Sequence, residues 1–549
     1  RAGESGPPDG IFMPRTVIIG AGHNGLVCAA YLAAAKHQVT VMERAPIPGG
    51  CAFTEEVVPG YKFNTGAIEL EGFVHSGIGR ELGLENHGLK WVRTNHLLAA
   101  HVGDRTALFH RDLSATLEGF RRDFGPDAAG EWERFAAFAN TVMSAVGSLQ
   151  HVKSPNIGGL ADIVGRLGDF EGDVEGLIHT VLAPSSAVID EWLSCPEMRA
   201  AAAAFSSHPQ MPPWVPGSGI LSCLLPSSHG GQGARPLGGT GELIRALVRA
   251  LVANGGEVKC GLPVREILFR SGRVRGVALD SGVEIEADAV VSTIDLKRVA
   301  TLLPPELLTE PWRKALAGSH SGLFNMGEIK VDAALDHPPV FRAEAPEFAG
   351  SLKYLMHAPD AYASAMRIVT GGRIPAHLPL MVAIPSADDP SQCPPGKATL
   401  WASAFVPAIF TDGQTWPAAN EKAADAVFET LEQFAPGIIA SVVERKVTGP
   451  SDWEQRLGNP AGNPNHLDMT IDQLFSLRPA TGFSRYRTPI PGLYLSGAGT
   501  HPGGGVHGMP GKLAAAAVLA DGRGEKAAVR KPSFVTLAKA AWRLRSILN

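Results

Sequence analysis

The chain has 549 residues, 45% hydrophobic and 19% charged, with a formal net charge of −5. That length exceeds one hydrophobic core, so two or more lobes are expected, and the charge balance argues against a nucleic-acid binder. The six cysteines (Cys28, Cys51, Cys195, Cys223, Cys260, Cys393) show no CxxC spacing, which removes a thioredoxin-type pair and a zinc knuckle and points to reduced thiols in a cytoplasmic setting.

Residues 1–12 (RAGESGPPDGIF) are polar and Pro/Gly-rich and read as an extension or tag remnant, with Met13 directly before the first strand. Thr16–Ile19 reads as a strand, GAGHNG (Gly20–Gly25) as a turn and Asn24–Lys36 as a helix. That order suits a nucleotide pyrophosphate. Gly20 makes the tight turn, Gly22 admits the phosphate, Gly25 lets helix and strand pack closely, and the helix N-terminus faces the anion. Strand Gln38–Met42 ends at Glu43, about twenty residues beyond the glycines, where a carboxylate reaches a ribose hydroxyl. RAPIPGG (Arg44–Gly50) is a second close-approach loop, and Gly60–Gly66 reads as a short strand and turn.

From about Trp91 to His208 the pattern predicts mainly helix, with three-four spacing over Glu131–Leu149, Val174–Leu182 and Ser186–Ser206. A Pro/Gly/Ser-rich return leads to an amphipathic helix, Gly241–Asn254. Short strands follow at Glu257–Cys260, Val264–Phe269, Arg273–Leu279, Val283–Ile285 and Ala289–Ser292. A second excursion carries strand-like pieces at Phe324–Val331, Leu380–Ile384, Thr399–Phe405 and Ile438–Val447, and a helix at Ala418–Phe434. The chain returns at Gly492–Ser496, enters GAGTHPGGGVHG (Gly497–Gly508) and ends in a helix near Pro510–Ala520. Two glycine loops at opposite ends of the chain fit one long cofactor lying across a single interrupted domain.

These segments resemble the phytoene desaturase-related flavoproteins, a branch of the FAD-dependent amine oxidase-like superfamily. GAGHNG, ERAPIPGG (Glu43–Gly50), the strand from Val264, VVSTID (Val290–Asp295) and GAGTHPGGGVHG carry the resemblance. Ala183–Ala203, Gly462–Phe475 and Tyr486–Val506 are similar in particular to the branch of pyridine nucleotide-disulfide oxidoreductase domain-containing protein 2. The resemblance implies an α/β fold: a discontinuous Rossmann-type FAD-binding domain with an inserted helical and mixed-sheet substrate domain. The expected division is 13–95, 236–295 and 476–525 for FAD, 96–235 for a helical cap, 296–475 for the sheet part and 526–549 for a tail. It also implies that Gly20, Gly22 and Gly25 hold the pyrophosphate and Glu43 the adenosine ribose. Arg44 and Gly50 would lie along the phosphates, and the Val264 backbone at adenine. Gly499, Val506, His507 and Gly508 would lie near the pyrophosphate end and the flavin ring.

Two histidines are candidate catalytic groups. His466 sits in GNPNHLDM and His507 in the flavin loop, and either could serve as a general base. A hydrogen-bonded loop histidine is an equal reading of His466, and His507 could instead shape the flavin site. Asp468 and Asp472 could assist His466, and His23 reads as a helix cap. Cys51 follows the paired glycines and could reach the flavin, although a buried thiol is the plainer reading. No His/Cys/Asp grouping has metal-ligand spacing. In the tail, Phe534, Leu537, Ala541, Leu544 and Leu548 share one helical face, with Lys539, Arg543 and Arg545 elsewhere. This helix could rest on an anionic membrane surface or dock on its own protein or on a second subunit.

The expected function is an oxidoreductase that passes a hydride from a mostly apolar or amphipathic substrate to flavin N5, then electrons to oxygen or a quinone. C–C desaturation leads. Amine or alcohol oxidation, flavin-dependent isomerisation and a FAD-stabilised binding protein are the alternatives.

Overall fold

The computed structural model describes residues 13–150, 174–231 and 233–525; the N-terminal extension and the amphipathic tail lie outside them. Its centre is a five-stranded parallel sheet. Strand β1 (Arg15–Ile19) lies between Ala289–Ser292 and β2 (Gln38–Met42), with Leu493–Leu495 and Glu257–Lys259 at the edges. A parallel sheet is covered on both faces, so its strands are apolar throughout; Val17, Ile18, Ile19, Val39 and Val41 are all buried. Helix α1 (His23–Ala34) packs on one face with helices Gly241–Ala253 and Met509–Gly522. An antiparallel sheet of Val264–Arg270, Arg273–Leu279 and Glu284–Glu286 covers the other.

A seven-stranded mixed sheet stands beside this domain. Its order is Val442–Thr448, Met326–Leu335, Ala398–Pro407, Leu380–Ala383, Leu352–Met356, His96–Val102 and Arg105–His110. Alternation in Met326–Leu335 sends Ile329, Val331, Ala333 and Leu335 into a core under helix Asn420–Phe434. Glu328, Lys330 and Asp332 therefore lie on the opposite face.

The structure corrects three sequence readings. Residues 96–110 are a hairpin of the large sheet rather than helix. Every residue of His96–Val102 is buried, so the strand lacks the alternation that would have marked it. The expected helix Ser186–Ser206 is two, Ser185–Trp192 and Pro196–Ser206, because Pro196 lacks an N–H and disfavours helical geometry in the residue before it. The piece Ile438–Val447 begins as a one-turn helix, Ile438–Ser441, before the strand Val442–Thr448.

Candidate active site

The C-terminal ends of β1 and β2 open into a cleft of about 430 Å³ lined by Gly20, Gly22, Gly25, Glu43, Arg44, Gly50, Val264 and His466. This is the crevice outside the strand ends where parallel sheets bind ligands. Gly20 has φ +100°, and a β-carbon there would lie 2.4 Å from Thr293 Oγ1. A β-carbon on Gly25 would lie 2.1 Å from the Gly20 carbonyl oxygen, so only glycine lets α1 start against the strand. Gly22 and Gly50 face each other, with Gly50's β-position 3.1 Å from Gly22 Cα. This backbone-walled cradle, closed by a helix N-terminus, fits a dinucleotide pyrophosphate. The Glu43 carboxylate accepts from the Ala21 and Ala45 amides, each at 2.8 Å, and so fixes the loop beside the cradle.

Arg44 lines the cleft, and its Nη2 donates to the Gln455 and Arg456 carbonyls at 2.7 and 2.6 Å. These carbonyls lie in the last turn of helix Pro450–Leu457, where a cation complements the helix dipole. Arg298 and Arg456 line the same cleft, and the Arg456 guanidinium stacks 3.3 Å from the Phe53 ring centroid. Sequence reasoning missed both, since they come from the second excursion and follow no motif.

Beyond the cleft lies a second cavity of about 540 Å³, lined mainly by apolar side chains including Ile68, Leu97, Phe205, Leu352, Met381 and Trp401. The two spaces share His23, Cys51, Leu457, Pro464 and Ala498 as wall residues. His23 thus stands at the junction rather than acting only as a helix cap. Cys51 stands there too, its thiol pushed up to about 12 by burial and the nearby Glu328. Val506 and His507 line the apolar cavity. Gly499 and Gly508 do not line either space. A β-carbon on Gly499 would lie 3.3 Å from His466 Nδ1, and one on Gly508 would lie 3.0 Å from Ile78 Cδ1, so both glycines make room for packing.

Both ring nitrogens of His507 are engaged: Nε2 donates to the Gly504 carbonyl at 3.0 Å, and Nδ1 accepts from the Met509 amide at 3.1 Å. The ring thereby serves the start of helix Met509–Gly522. His466 lies in the left-handed backbone region with φ +64°, and its buried Nδ1 has no hydrogen-bond partner among the described residues. Asp468 and Asp472 serve His320 instead of His466, at 3.1 and 3.0 Å. Tyr486 donates to the His501 carbonyl at 3.1 Å, and Arg487 pairs with Asp521 at 2.8 Å.

Burial holds His23 and His466 down at about 3, and His208 and His507 at about 4. Arg478 and His23 add repulsion at His466. These rings are neutral near neutral pH. Their folded values lie below the ordinary 6.5, so the unfolded chain binds more protons and stability is lost as pH falls from 6.5 toward 4. The melting temperature is expected to drop by several degrees between pH 6.5 and 4.5, as thermal scans across that range would read.

The least anticipated group is Arg478. Its guanidinium is fully buried and donates six hydrogen bonds to five backbone carbonyls: Asn465, Leu467, Asp468, Gln473 and, twice, Ala498. It ties the His466 loop to the C-terminal glycine loop. All its acceptors are main-chain, so no spacing of side chains announces it.

The model of the flavin-containing amine oxidoreductase family matches residues 25–519. The chain is 31% identical over 548 residues to pyridine nucleotide-disulfide oxidoreductase domain-containing protein 2 of Rattus norvegicus, covering 92% of this chain and 93% of that protein. It is 26% identical to a lycopene-forming phytoene desaturase of Pseudescherichia vulneris, covering 92% and 99%. Among solved structures, a triple mutant of putrescine oxidase superposes with a TM-score of 0.61 at 14% identity, covering 93% and 99%, and shares the fold. FAD is the cofactor, and the protein is a FAD-dependent oxidoreductase. The cradle at β1, the loop pinned by Glu43 and the match across nearly the whole length make this chain a member of the flavin-containing amine oxidoreductase family.

Proposed function

We propose that the protein dehydrogenates a mostly apolar organic molecule, with C–C desaturation as the leading reaction and oxygen or a quinone as final acceptor. The observation that carries this reading is the apolar cavity sharing a wall with the nucleotide cleft. FAD, when bound, supplies the hydride acceptor. Gly20, Gly22, Gly25 and the α1 N-terminus would hold its pyrophosphate, with Arg44 and Gly50 alongside. Glu43 would hold the ribose and the Val264 backbone the adenine. Val506 and His507 would flank the ring end, with Gly499 and Gly508 shaping the loop behind them.

In this reading the chain contributes alignment and a dry cavity. The His507 ring orients its loop, and neither it nor His466 supplies an imidazole that titrates near neutral pH. The six free thiols fit a reducing, cytoplasmic compartment, and among the described residues no helix is long and apolar enough to cross a membrane.

Anaerobic mixing of the FAD-loaded protein with a panel of terpenes, long-chain alcohols and amines tests the reading. Loss of the oxidised-flavin absorbance, with an unsaturated product recovered, is expected. Turnover that leaves the flavin oxidised would favour isomerisation and sink the dehydrogenation reading.

A further inference from the structure

We infer that Glu328 is the polar anchor of the apolar cavity, where its carboxyl hydrogen-bonds a hydroxyl or carbonyl carried by an otherwise apolar substrate. The inference rests on the dehydrogenation reading, which makes this cavity the substrate's, and it narrows the substrate class.

Three carboxyls lie in the cavity wall: Glu69, Glu71 and Glu328. Glu69 is held by Arg235 at 2.6 Å, and Glu71 by Arg111 at 3.1 Å. Glu328 meets no cation at ion-pair distance among the described residues. Lys330, the cation on the same strand face, is paired with Asp332. The one hydrogen bond to the Glu328 carboxyl among the described residues comes from the Ser403 hydroxyl to Oε1, which orients the group and leaves its other oxygen unmatched.

The strand register gives Glu328 its place. Its neighbour Ile329 points into the core on the sheet's other face, so residue 328 projects toward the cavity. Cys51, close enough for Glu328 to perturb its thiol, belongs to the wall shared with the nucleotide cleft. A group bound by Glu328 therefore sits at the reacting end of the cavity. Burial pushes the Glu328 carboxyl up, toward the neutral acid, which both donates and accepts. A hydroxyl matches both roles and a carbonyl takes the donated bond, whereas an ammonium requires the ionised form. The Glu328 oxygen that Ser403 leaves free is thus available to a hydroxyl entering the cavity.

The test titrates the oxidised, FAD-loaded protein with phenylethanol, phenylethylamine and ethylbenzene, and reads binding from the shift of the flavin absorption band. The wild-type protein is expected to bind phenylethanol about tenfold tighter than ethylbenzene. Glu328→Leu brings that ratio to about one, while Glu328→Gln, whose amide also donates and accepts, stays within about threefold of wild type. An unchanged ratio in Glu328→Leu overturns the inference. So does a preference for the amine over the alcohol, or loss of flavin from both variants, which makes Glu328 a cofactor ligand. A preference that follows residue 328 while no compound of the panel reduces the flavin supports the anchor and overturns the dehydrogenation reading alone.

Discussion

Replacing Arg478 with methionine is expected to give a chain that purifies largely without flavin and unfolds at a lower temperature. The side chain is fully buried, and the substitution roughly keeps its length while removing every donor. Five carbonyls then lose a donor; Asn465 keeps the Leu467 amide and Asp468 the Gln473 side chain, so those of Leu467, Gln473 and Ala498 are left without a partner among the described residues. Leaving buried acceptors unmatched costs about 1–3 kcal/mol each when nothing relaxes, and breaking a buried charged network costs about 3–5 kcal/mol in total. Much of that strain falls on Asn465–Asp468 and on Ala498, which joins the nucleotide cleft to the apolar cavity. The flavin-to-protein absorbance ratio and thermal unfolding report the two effects. Arg478→Lys keeps the charge and tests the geometry. One ammonium cannot span carbonyls that the guanidinium reaches in a plane, so lysine is expected to recover less than half of the lost stability. A methionine variant that retains flavin and melts within about 2 °C of wild type would show that the network is dispensable.

The second large effect separates two glycines of one motif. Gly25→Ala places a β-carbon 2.1 Å from the Gly20 carbonyl oxygen, a backbone overlap that only movement of α1 against β1 relieves. Overpacking of this kind costs about 1–3 kcal/mol or more, and it is expected in the protein with or without FAD. Gly22→Ala is different. Its φ of −71° suits any residue, and its β-carbon would meet only Gly50 Cα at 3.9 Å. The apoprotein should melt within about 1 °C of wild type, while FAD affinity falls at least about tenfold because the methyl stands where a phosphate approaches. Equal losses of apoprotein stability in both variants would refute the assigned roles. Gly511 is a further position of the first kind, since a β-carbon there would lie 2.1 Å from the Asn24 carbonyl oxygen, between helix Met509–Gly522 and α1. It belongs to no motif read from the chain, and the contact spans nearly five hundred residues.

The parts read from sequence share a property: their physics is local. The turn at Gly20, the helix that follows it and the carboxylate ending β2 are set by neighbours within about thirty residues, so their spacing carries the nucleotide cleft. Hairpin strands such as Val264–Arg270 and Arg273–Leu279 are legible for the same reason. The strand His96–Val102 is not, because it is buried on both sides and joins its parallel neighbour Leu352–Met356 across two hundred and fifty residues.

The amino-acid order alone thus determined the cofactor class and the broken α/β frame that holds it, through glycines where a β-carbon would overlap the backbone or a neighbouring side chain, as at Gly25 and Gly20, or meet a phosphate, as at Gly22. The tertiary structure decided the rest. It turned His507 into a helix-start ligand, gave Asp468 and Asp472 to His320 and buried Arg478 among main-chain carbonyls. It also brought Glu328 beside Cys51. Those outcomes depend on desolvation and on hydrogen bonds between segments far apart in the chain, and neither leaves a spacing that a sequence can display.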